Sequence, residues 1–335
     1  RYRESTHSFD ELSPTTTGDY SVSFISLGTA FSDKNGSIVS KLFDKFMANR
    51  QVISQRLGGQ NPNSSGRVDG FADGYGKEAQ DVVVSAFIAA YTGKDASSVS
   101  LNSFPKIPLP NWRINYSGLT RIPFLEEYFK SIDLRHSYRS IYSVTGFNSL
   151  LKYAERDGSV TSRDDNQNFL PRYQYSQVTI AEQFAPLIGI DTRLKSNITA
   201  NFEIGRTRLL GLSLANSQLA QMSENNMIFG LGYRTSKFRF PFGLFKQLKM
   251  NNNMDFKLDV AVRDNKTVIY RADVTEAEVS SGAKNITFRP SVDYILNQRF
   301  NVKLFYDSNV TKPYTSQTFN TSFSNFGFSL RITLN

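Results

Sequence analysis

Apolar and polar residues alternate along much of the chain with the period of a β-strand. The clearest example is the C-terminal stretch, whose apolar positions are Phe326, Phe328, Leu330, Ile332 and Leu334. Because successive side chains of a strand point to opposite faces, this stretch has one apolar face and one polar face. Its length fits a membrane-crossing strand, which needs roughly 9–11 tilted residues. We therefore expect these five side chains to face lipid on a closing strand.

The same alternation recurs from residue 111 to residue 335 and predicts roughly eight to ten strands. Polar turn residues predict tight turns at 195–197, 264–265 and 297–298, and the polar stretch 148–172 is predicted to be a long exposed loop. A series of strands joined by both tight turns and long loops is typical of outer-membrane β-barrels.

Residues 1–110 have a different texture and form a second region, predicted to be mixed helical and irregular. A strand is predicted at 20–27, and a helix at 38–57 that ends at Gly58 and Gly59. The apolar run 79–91 fits either a buried helix or a strand. Three prolines, Pro105, Pro108 and Pro110, then interrupt regular structure and lead into Trp112.

Composition agrees with a transmembrane barrel without requiring one. Hydrophobic residues make up only 39% of the chain, below the roughly 45–50% usual for soluble proteins, while aromatic residues reach 13%. Only half of each barrel strand meets lipid, and aromatic girdles mark both membrane interfaces. A soluble β-sandwich also alternates, but so many long strands with consistently separated apolar and charged faces favour a barrel. The predicted fold class is therefore all-β, an antiparallel transmembrane β-barrel wall.

Charge and reactive residues narrow the function by exclusion. The formal charge of +9 is spread through the chain without a basic run, so nucleic acid is not an expected partner. The chain has no cysteine, which excludes disulfides and thiol chemistry, and its two histidines, His7 and His136, do not form a metal-binding pattern. We find no catalytic, cofactor-binding or metal-ligating pattern and expect a protein that is not an enzyme.

Several segments also resemble a known family. The run 86–95 (AFIAAYTGKD) leads into 104–113 (FPKIPLPNWR), followed by 116–119 (YSGL) and 136–140 (HSYRS). Further matches are 178–191 (VTIAEQFAPLIGID) and 230–234 (GLGYR). This order resembles the C-terminal region of the SprA/Sov family, the giant outer-membrane barrel of the type 9 secretion system, over most of residues 79–335.

The resemblance implies a function that alternation alone does not. It implies a translocon in the bacterial outer membrane that passes folded cargo proteins, including the adhesins of gliding motility. Implied partners are the remainder of the same giant barrel, a PorV-type outer-membrane barrel, a periplasmic plug protein, secreted cargo and outer-membrane lipid. The chain begins at Arg1 rather than Met, and we expect it to be a piece of a longer polypeptide. Its strands would then form one wall of a much wider barrel.

Strand parity assigns residues to the two sides of that wall. Polar-parity positions expected to line the lumen are Arg135, Arg139, Lys257, Arg263 and Arg331. Pro105, Pro108, Pro110 and Trp112 are expected to anchor the N-terminal region in the lumen or at the periplasmic rim. Two alternatives remain open. One is a small self-contained outer-membrane porin or adhesin barrel, and the other is a soluble β-rich surface-binding module.

Overall fold

The architecture is dominated by one large antiparallel sheet. The computed structural model describes residues 15–32, 41–216, 218–236, 253–271, 277–295, 300–315 and 318–332, together with the backbone of four two-residue strands outside those ranges. The sheet has eleven strands. In chain order they are β1 (Thr17–Ser23), β2 (Trp112–Tyr116), β3 (Phe129–Ser149), β4 (Tyr173–Gln174), β5 (Gln177–Leu194), β6 (Ile198–Ser213), β7 (Gln218–Thr235), β8 (Met254–Arg271), β9 (Glu278–Ile295), β10 (Phe300–Pro313) and β11 (Thr321–Ile332).

Eight of these strands are long, and seven of them follow one another as a simple meander. The spatial order runs from β3 through β5, β6, β7, β8, β9 and β10 to β11, and β4 continues β5 in the same register against β3. The other edge of β3 carries two short strands in succession, because β1 pairs with its second half and β2 with its first half. The all-β, antiparallel prediction is therefore confirmed, with eight long strands where roughly eight to ten were expected.

The sheet is not closed into a barrel. Among the described residues, β11 pairs with β10 alone, and β1 and β2 form the opposite edge. Leu334, the last of the five residues predicted to face lipid, lies outside the described residues, as does the predicted turn at 297–298.

The two main helices lie in the N-terminal region. Helix α1 (Lys41–Gln60) forms where the apolar spacing predicts a helix, although it continues through Gly58 and Gly59. Helix α2 (Gln80–Thr92) settles the ambiguity of the run 79–91. Its sides are buried almost all round, which explains why periodicity gave no answer, and Gly93 ends it in the left-handed conformation with φ 76°. The third helix, α3 (Pro123–Tyr128), is a short helix just before β3.

Short elements complete the described chain. Single 3₁₀ turns occupy Leu27–Thr29 and Gly118–Arg121. Two-residue ladders pair Tyr2–Arg3 with Ser8–Phe9, Arg67–Val68 with Phe71–Ala72, Glu155–Arg156 with Ser159–Val160, and Phe238–Arg239 with Lys249–Met250. None of the helices among the described residues is long and apolar enough to cross a membrane.

The stretch 148–172 is less exposed than its polar composition predicts. Arg163 donates to both carboxylate oxygens of Asp73, at 2.9 and 2.7 Å, and its guanidinium lies 4.3 Å from the ring centre of Phe169. Phe169 is itself buried against Tyr75. The hydrogen bonds from Arg163 hold the pKa of Asp73 down at about 2. Part of this loop is thus fixed to the segment between α1 and α2.

Two of the predicted turns can be compared with the described chain. The turn at 195–197 is confirmed, with Asn197 in the left-handed conformation between β5 and β6. The turn predicted at 264–265 is wrong. Asp264 and Asn265 lie within β8 and pair in register with β7 on one side and β9 on the other. Asp264 belongs to a polar zone on one face of the sheet, described below, and Asn265 lies on the opposite face, so the strand continues through both residues without a reversal.

Candidate functional site

The pairing register assigns every long-strand side chain to one of two faces. Residues paired directly across strands lie on the same face. One row of direct cross-strand partners consists of Tyr142 on β3, Ile180 on β5, Leu210 on β6, Gln221 on β7 and Val268 on β8. We call the face of the sheet that carries these side chains face A. The opposite side chains form face B. Between Phe184 and Ile188, β5 has two extra residues relative to both neighbours, so the parity of the faces is unchanged.

Face A carries an exposed apolar band near the end of the sheet that holds the turn at 195–197. One register row of this band crosses six strands and is apolar throughout: Ile198, Tyr233, Phe256, Val292, Leu304 and Phe328. Tyr233 is 42% exposed and Phe328 is 76% exposed. No part of the described chain covers the band on β7 to β11 with a second layer of secondary structure.

The depth of the band matches the apolar thickness that a membrane strand presents. It extends from Ile198 to Ile204 on β6 and from Phe326 to Ile332 on β11, with a longer run on β9 from Ile286 to Tyr294. At about 3.3 Å per residue, seven to nine residues correspond to about 23–30 Å along the strand. Outer-membrane barrels show an apolar band of roughly 25 Å.

The upper limit of the band follows the register over five strands. Ile204, Met227, Val262, Ile286 and Val310 lie in one register row, and the next row toward the helices is polar on each of these strands. On β11 the same row reaches Ser322, and the apolar run begins four residues later at Phe326. The band therefore has one common margin against polar side chains from β6 to β10.

Face B is polar and rich in paired charges. All five residues predicted to line a lumen, Arg135, Arg139, Lys257, Arg263 and Arg331, lie on this face. Arg135 contacts Asp191 at 2.8 Å and Glu203 at 3.3 Å, and Arg263 contacts Glu224 at 2.6 Å. Lys257 lies 3.9 Å from Asp293, while Arg139 and Arg331 are exposed. Because these pairs are open to solvent, they keep the surface hydrated and add little stability.

The opposite end of face A is covered by the helices. Tyr142, Ile180, Leu210 and Tyr270 are buried beneath α1 and α2, and Phe43 of α1 stacks on Tyr270 with ring centres 5.1 Å apart. Helices and exposed apolar band therefore share one face of the sheet. Between them lies a polar belt two register rows deep: Ser140, Glu182, Arg206, Arg208, Ser223, Asn225, Asp264, Lys266, Lys284 and Lys312.

A buried ion pair joins the belt to the N-terminal region. Glu182 and Arg208 lie 2.9 Å apart, and both side chains are only 2% exposed. Ser26 and Tyr138 donate to Glu182 at 2.6 and 3.0 Å, and Arg208 donates to the carbonyl oxygen of Thr29 at 2.8 Å. The hydroxyl of Thr29 in turn donates to the carbonyl of Tyr91 at the end of α2. This network attaches the segment 24–30 and α2 to the sheet.

Sequence reasoning missed this pair, although a signal for it exists. Glu182 lies on the apolar parity of β5 between Ile180 and Phe184, and Arg208 lies on the apolar parity of β6. A charged residue at a position that should be apolar needs a partner when it is buried. Because Glu182 and Arg208 carry opposite charges on neighbouring predicted strands, their pairing could have been predicted from the sequence.

The proline-rich segment fills the junction between β1 and β2. The amide of Leu109 donates to the carbonyl oxygen of Ser23 at 2.9 Å, and the hydroxyl of Tyr20 donates to the carbonyl oxygen of Pro105. Trp112 stacks on Tyr138 with ring centres 4.6 Å apart, next to His136. Pro108 and Pro110 are exposed.

The position of Trp112 bears on the expected lumen or rim anchor. Trp112 pairs with Tyr138 and so lies on face A, with the residues predicted to face lipid. A lumenal position for the N-terminal region and a lipid-facing position for Phe328 therefore exclude each other, and a position at the rim is compatible with both.

Within the part of the chain that the structure describes, no three His, Asp or Glu side chains converge as metal ligands. The ring of His136 is within 2.6 Å of the carbonyl oxygen of Leu187, at the margin of the apolar band.

Comparison with known proteins adds no identification. No protein-family model and no curated protein matches this chain.

Proposed function

We propose that this sheet is a wall section of an outer-membrane β-barrel channel that passes folded proteins. The observation that carries the membrane position is the exposed apolar band on face A. Its depth of about 23–30 Å fits the apolar layer that barrel strands present to a bilayer. The charged, hydrated face B would line the water-filled side.

A protein-conducting role is supported by the sheet's open edges and by its resemblance to the SprA/Sov family. In lipid an unpaired strand edge leaves backbone groups unsatisfied, so β11 and the β1–β2 edge need partner strands. Among the described residues neither edge has such a partner. Additional strands from the same polypeptide would satisfy both edges and widen the barrel, and width is what a conduit for folded cargo requires. The blocks 104–113 and 178–191 support type 9 secretion as the pathway.

The first test is the mass of the native polypeptide that carries this sequence, extracted from outer membranes. We expect a chain far larger than 37.8 kDa that copurifies with a second outer-membrane barrel and with secreted cargo. A lone species near 37.8 kDa that is folded in detergent and changes mobility on heating would instead indicate a small self-contained barrel. A protein that stays in solution without detergent would contradict any membrane position and favour a soluble β-rich module.

A further inference from the structure

The segment 117–128, which joins β2 to β3, lies at the end of the sheet that holds the turn at 195–197. It consists of a short 3₁₀ turn followed by helix α3. The amide of Lys195 in the turn donates to the carbonyl oxygen of Tyr128, the last residue of α3, at 2.9 Å. This hydrogen bond fixes the end of the segment level with the turn.

Large apolar side chains near this end of the sheet are open to solvent. Five of them lie between residues 114 and 128 and are about half exposed or more: Ile114, Tyr116, Ile122, Phe124 and Tyr128. Phe124 is 71% exposed, and its ring centre lies 5.7 Å from that of Tyr128, one helical turn away on α3. Exposed apolar side chains that cluster in this way mark a contact with a partner or with a membrane.

The cluster continues the apolar band of face A. Ile114 and Tyr116 on β2 pair with His136 and Leu134 on β3, and all four side chains lie on face A. The ring of Tyr116 reaches into the connecting segment, because a Cβ atom on Gly118 would lie 2.6 Å from the tyrosine hydroxyl oxygen. The exposed apolar surface therefore extends from the strands into the connection between them.

Aromatic side chains mark the same margin of the band farther along the sheet. Tyr233 on β7 and Phe328 on β11 share the register row of Ile198, which directly follows the turn. The neighbouring face A positions of β5 and β6 are Thr192 and Ala200, which are not aromatic. Outer-membrane barrels carry aromatic girdles at both membrane interfaces. The connecting segment supplies aromatic rings at the level of the turn, where β5 and β6 present small or aliphatic side chains.

Charged side chains surround the aromatic pair of α3. Arg121, Glu126, Glu127 and Lys130 are all exposed. A mixture of aromatic rings and charges of both signs fits the headgroup layer of a membrane, where the rings contact the upper acyl chains and the charges stay hydrated. A protein surface that buried the rings would also dehydrate these neighbouring charges, which is costly unless each is paired. The composition of the segment therefore favours lipid as its partner.

We infer that the segment 117–128 is an interfacial anchor, with Phe124 and Tyr128 lying among the lipid headgroups at the turn end of the apolar band. This inference rests on the proposed membrane position of face A and adds the depth at which the sheet is held. It assigns a membrane contact to a connection that lies outside the strands.

The test replaces single exposed phenylalanines of the native polypeptide by the photoreactive residue benzoylphenylalanine. Outer membranes that contain each variant are irradiated, and the adducts are identified by mass spectrometry. At Phe124 we expect lipid adducts close to the glycerol backbone, at a yield roughly tenfold above that at Phe323. Phe323 is the matched control, because it is 64% exposed and pairs with Asn309 on face B.

A third position, Phe328, separates this inference from the proposed function. It lies in the apolar band of face A, so the proposed membrane position requires lipid adducts on acyl-chain carbons there. Lipid adducts at Phe328 together with a yield at Phe124 no higher than at Phe323 would overturn the inference alone. Adducts of Phe124 with a protein would also overturn it, because the segment would then be a protein contact. Absence of lipid adducts at Phe328 would contradict the proposed membrane position itself.

Discussion

At the scale of single residues, the buried pair of Glu182 and Arg208 has the largest expected energetic effect. The variant Arg208→Met leaves the carboxylate of Glu182 without its positive partner in a site that is only 2% exposed. Breaking a buried pair in this way costs about 3–5 kcal/mol. We expect a corresponding loss of amide hydrogen-exchange protection across α2, because the network ties Tyr91 to the sheet.

The matched control replaces both charges. In the double variant Glu182→Gln with Arg208→Met, the amide oxygen still accepts from Ser26 and Tyr138 and no buried charge remains. Most of the lost protection of α2 should therefore return. Equal protection in the single variant and the double variant would show that the ion pair does not hold α2 in place.

The buried carboxyl of Asp81 is expected to make the stability of the N-terminal region fall as the pH rises. Burial raises the pKa of this carboxyl, in the first turn of α2, to about 6. The unfolded chain has a value of about 3.9, so the native state binds more protons between these two values. The protonated side chain contributes stability that is complete below about pH 4 and lost as the pH rises through about 6.

Protection factors of the α2 amides, corrected for intrinsic exchange rates, should accordingly fall between about pH 4 and pH 6. The variant Asp81→Asn should remove this dependence. Asp73 serves as an internal comparison, because its pKa is lowered to about 2 and its contribution is lost in the opposite direction, as the pH falls. A fall in protection that persists in Asp81→Asn would assign it to another group.

At the scale of elements, the closing strand tests the difference between the two faces. The side chain of Phe328 lies on face A of β11 and Arg331 lies on face B. The variant Phe328→Arg would place a charge in the apolar band, which costs about 2–4 kcal/mol near the middle of a bilayer. We expect poor assembly into the outer membrane, measured as protease resistance of the membrane fraction.

The variant Arg331→Leu is the control on the same strand and should assemble normally, because face B is open to water. If both variants assembled equally well, face A of β11 would not be in contact with lipid.

Elements also show how far sequence reasoning extends. Strict alternation identifies the strands, and it places Arg135, Arg139, Lys257, Arg263 and Arg331 on one face because parity depends only on local geometry. Alternation fails where a strand crosses from one environment to another. Asp264 and Asn265 interrupt an apolar run and so predict a turn. In the sheet, Asp264 lies in the polar belt of face A and Asn265 lies on face B of the same continuous strand.

The helices illustrate a second limit. A sequence that is apolar on every side, such as that of α2, has no period to read, and only its packing against both α1 and the sheet explains it. The side of the sheet on which the helices pack could not be predicted either. It depends on contacts such as Phe43 with Tyr270, which are far apart in the chain.

At the scale of the whole molecule, the proline-rich segment connects the helical region to the edge of the sheet. We expect that replacing 105–110 with a glycine- and serine-rich segment of equal length would loosen β1 and β2 on β3, because fixed proline conformations limit the freedom of the unfolded chain. The expected result is reduced outer-membrane assembly and reduced secretion, with Phe104 and Trp112 left unchanged. Normal assembly and secretion would contradict an anchoring role for this segment.

The packing of the helices on face A of the sheet determines the order in which parts of the chain can fold. Helices α1 and α2 precede the long strands in the chain, yet their core needs Tyr142, Leu210 and Tyr270, the last of which lies in β8. Contacts that span so much of the chain form slowly. The two helices therefore reach their native packing only after five long strands, β3 and β5 to β8, have paired, although they come before those strands in the chain.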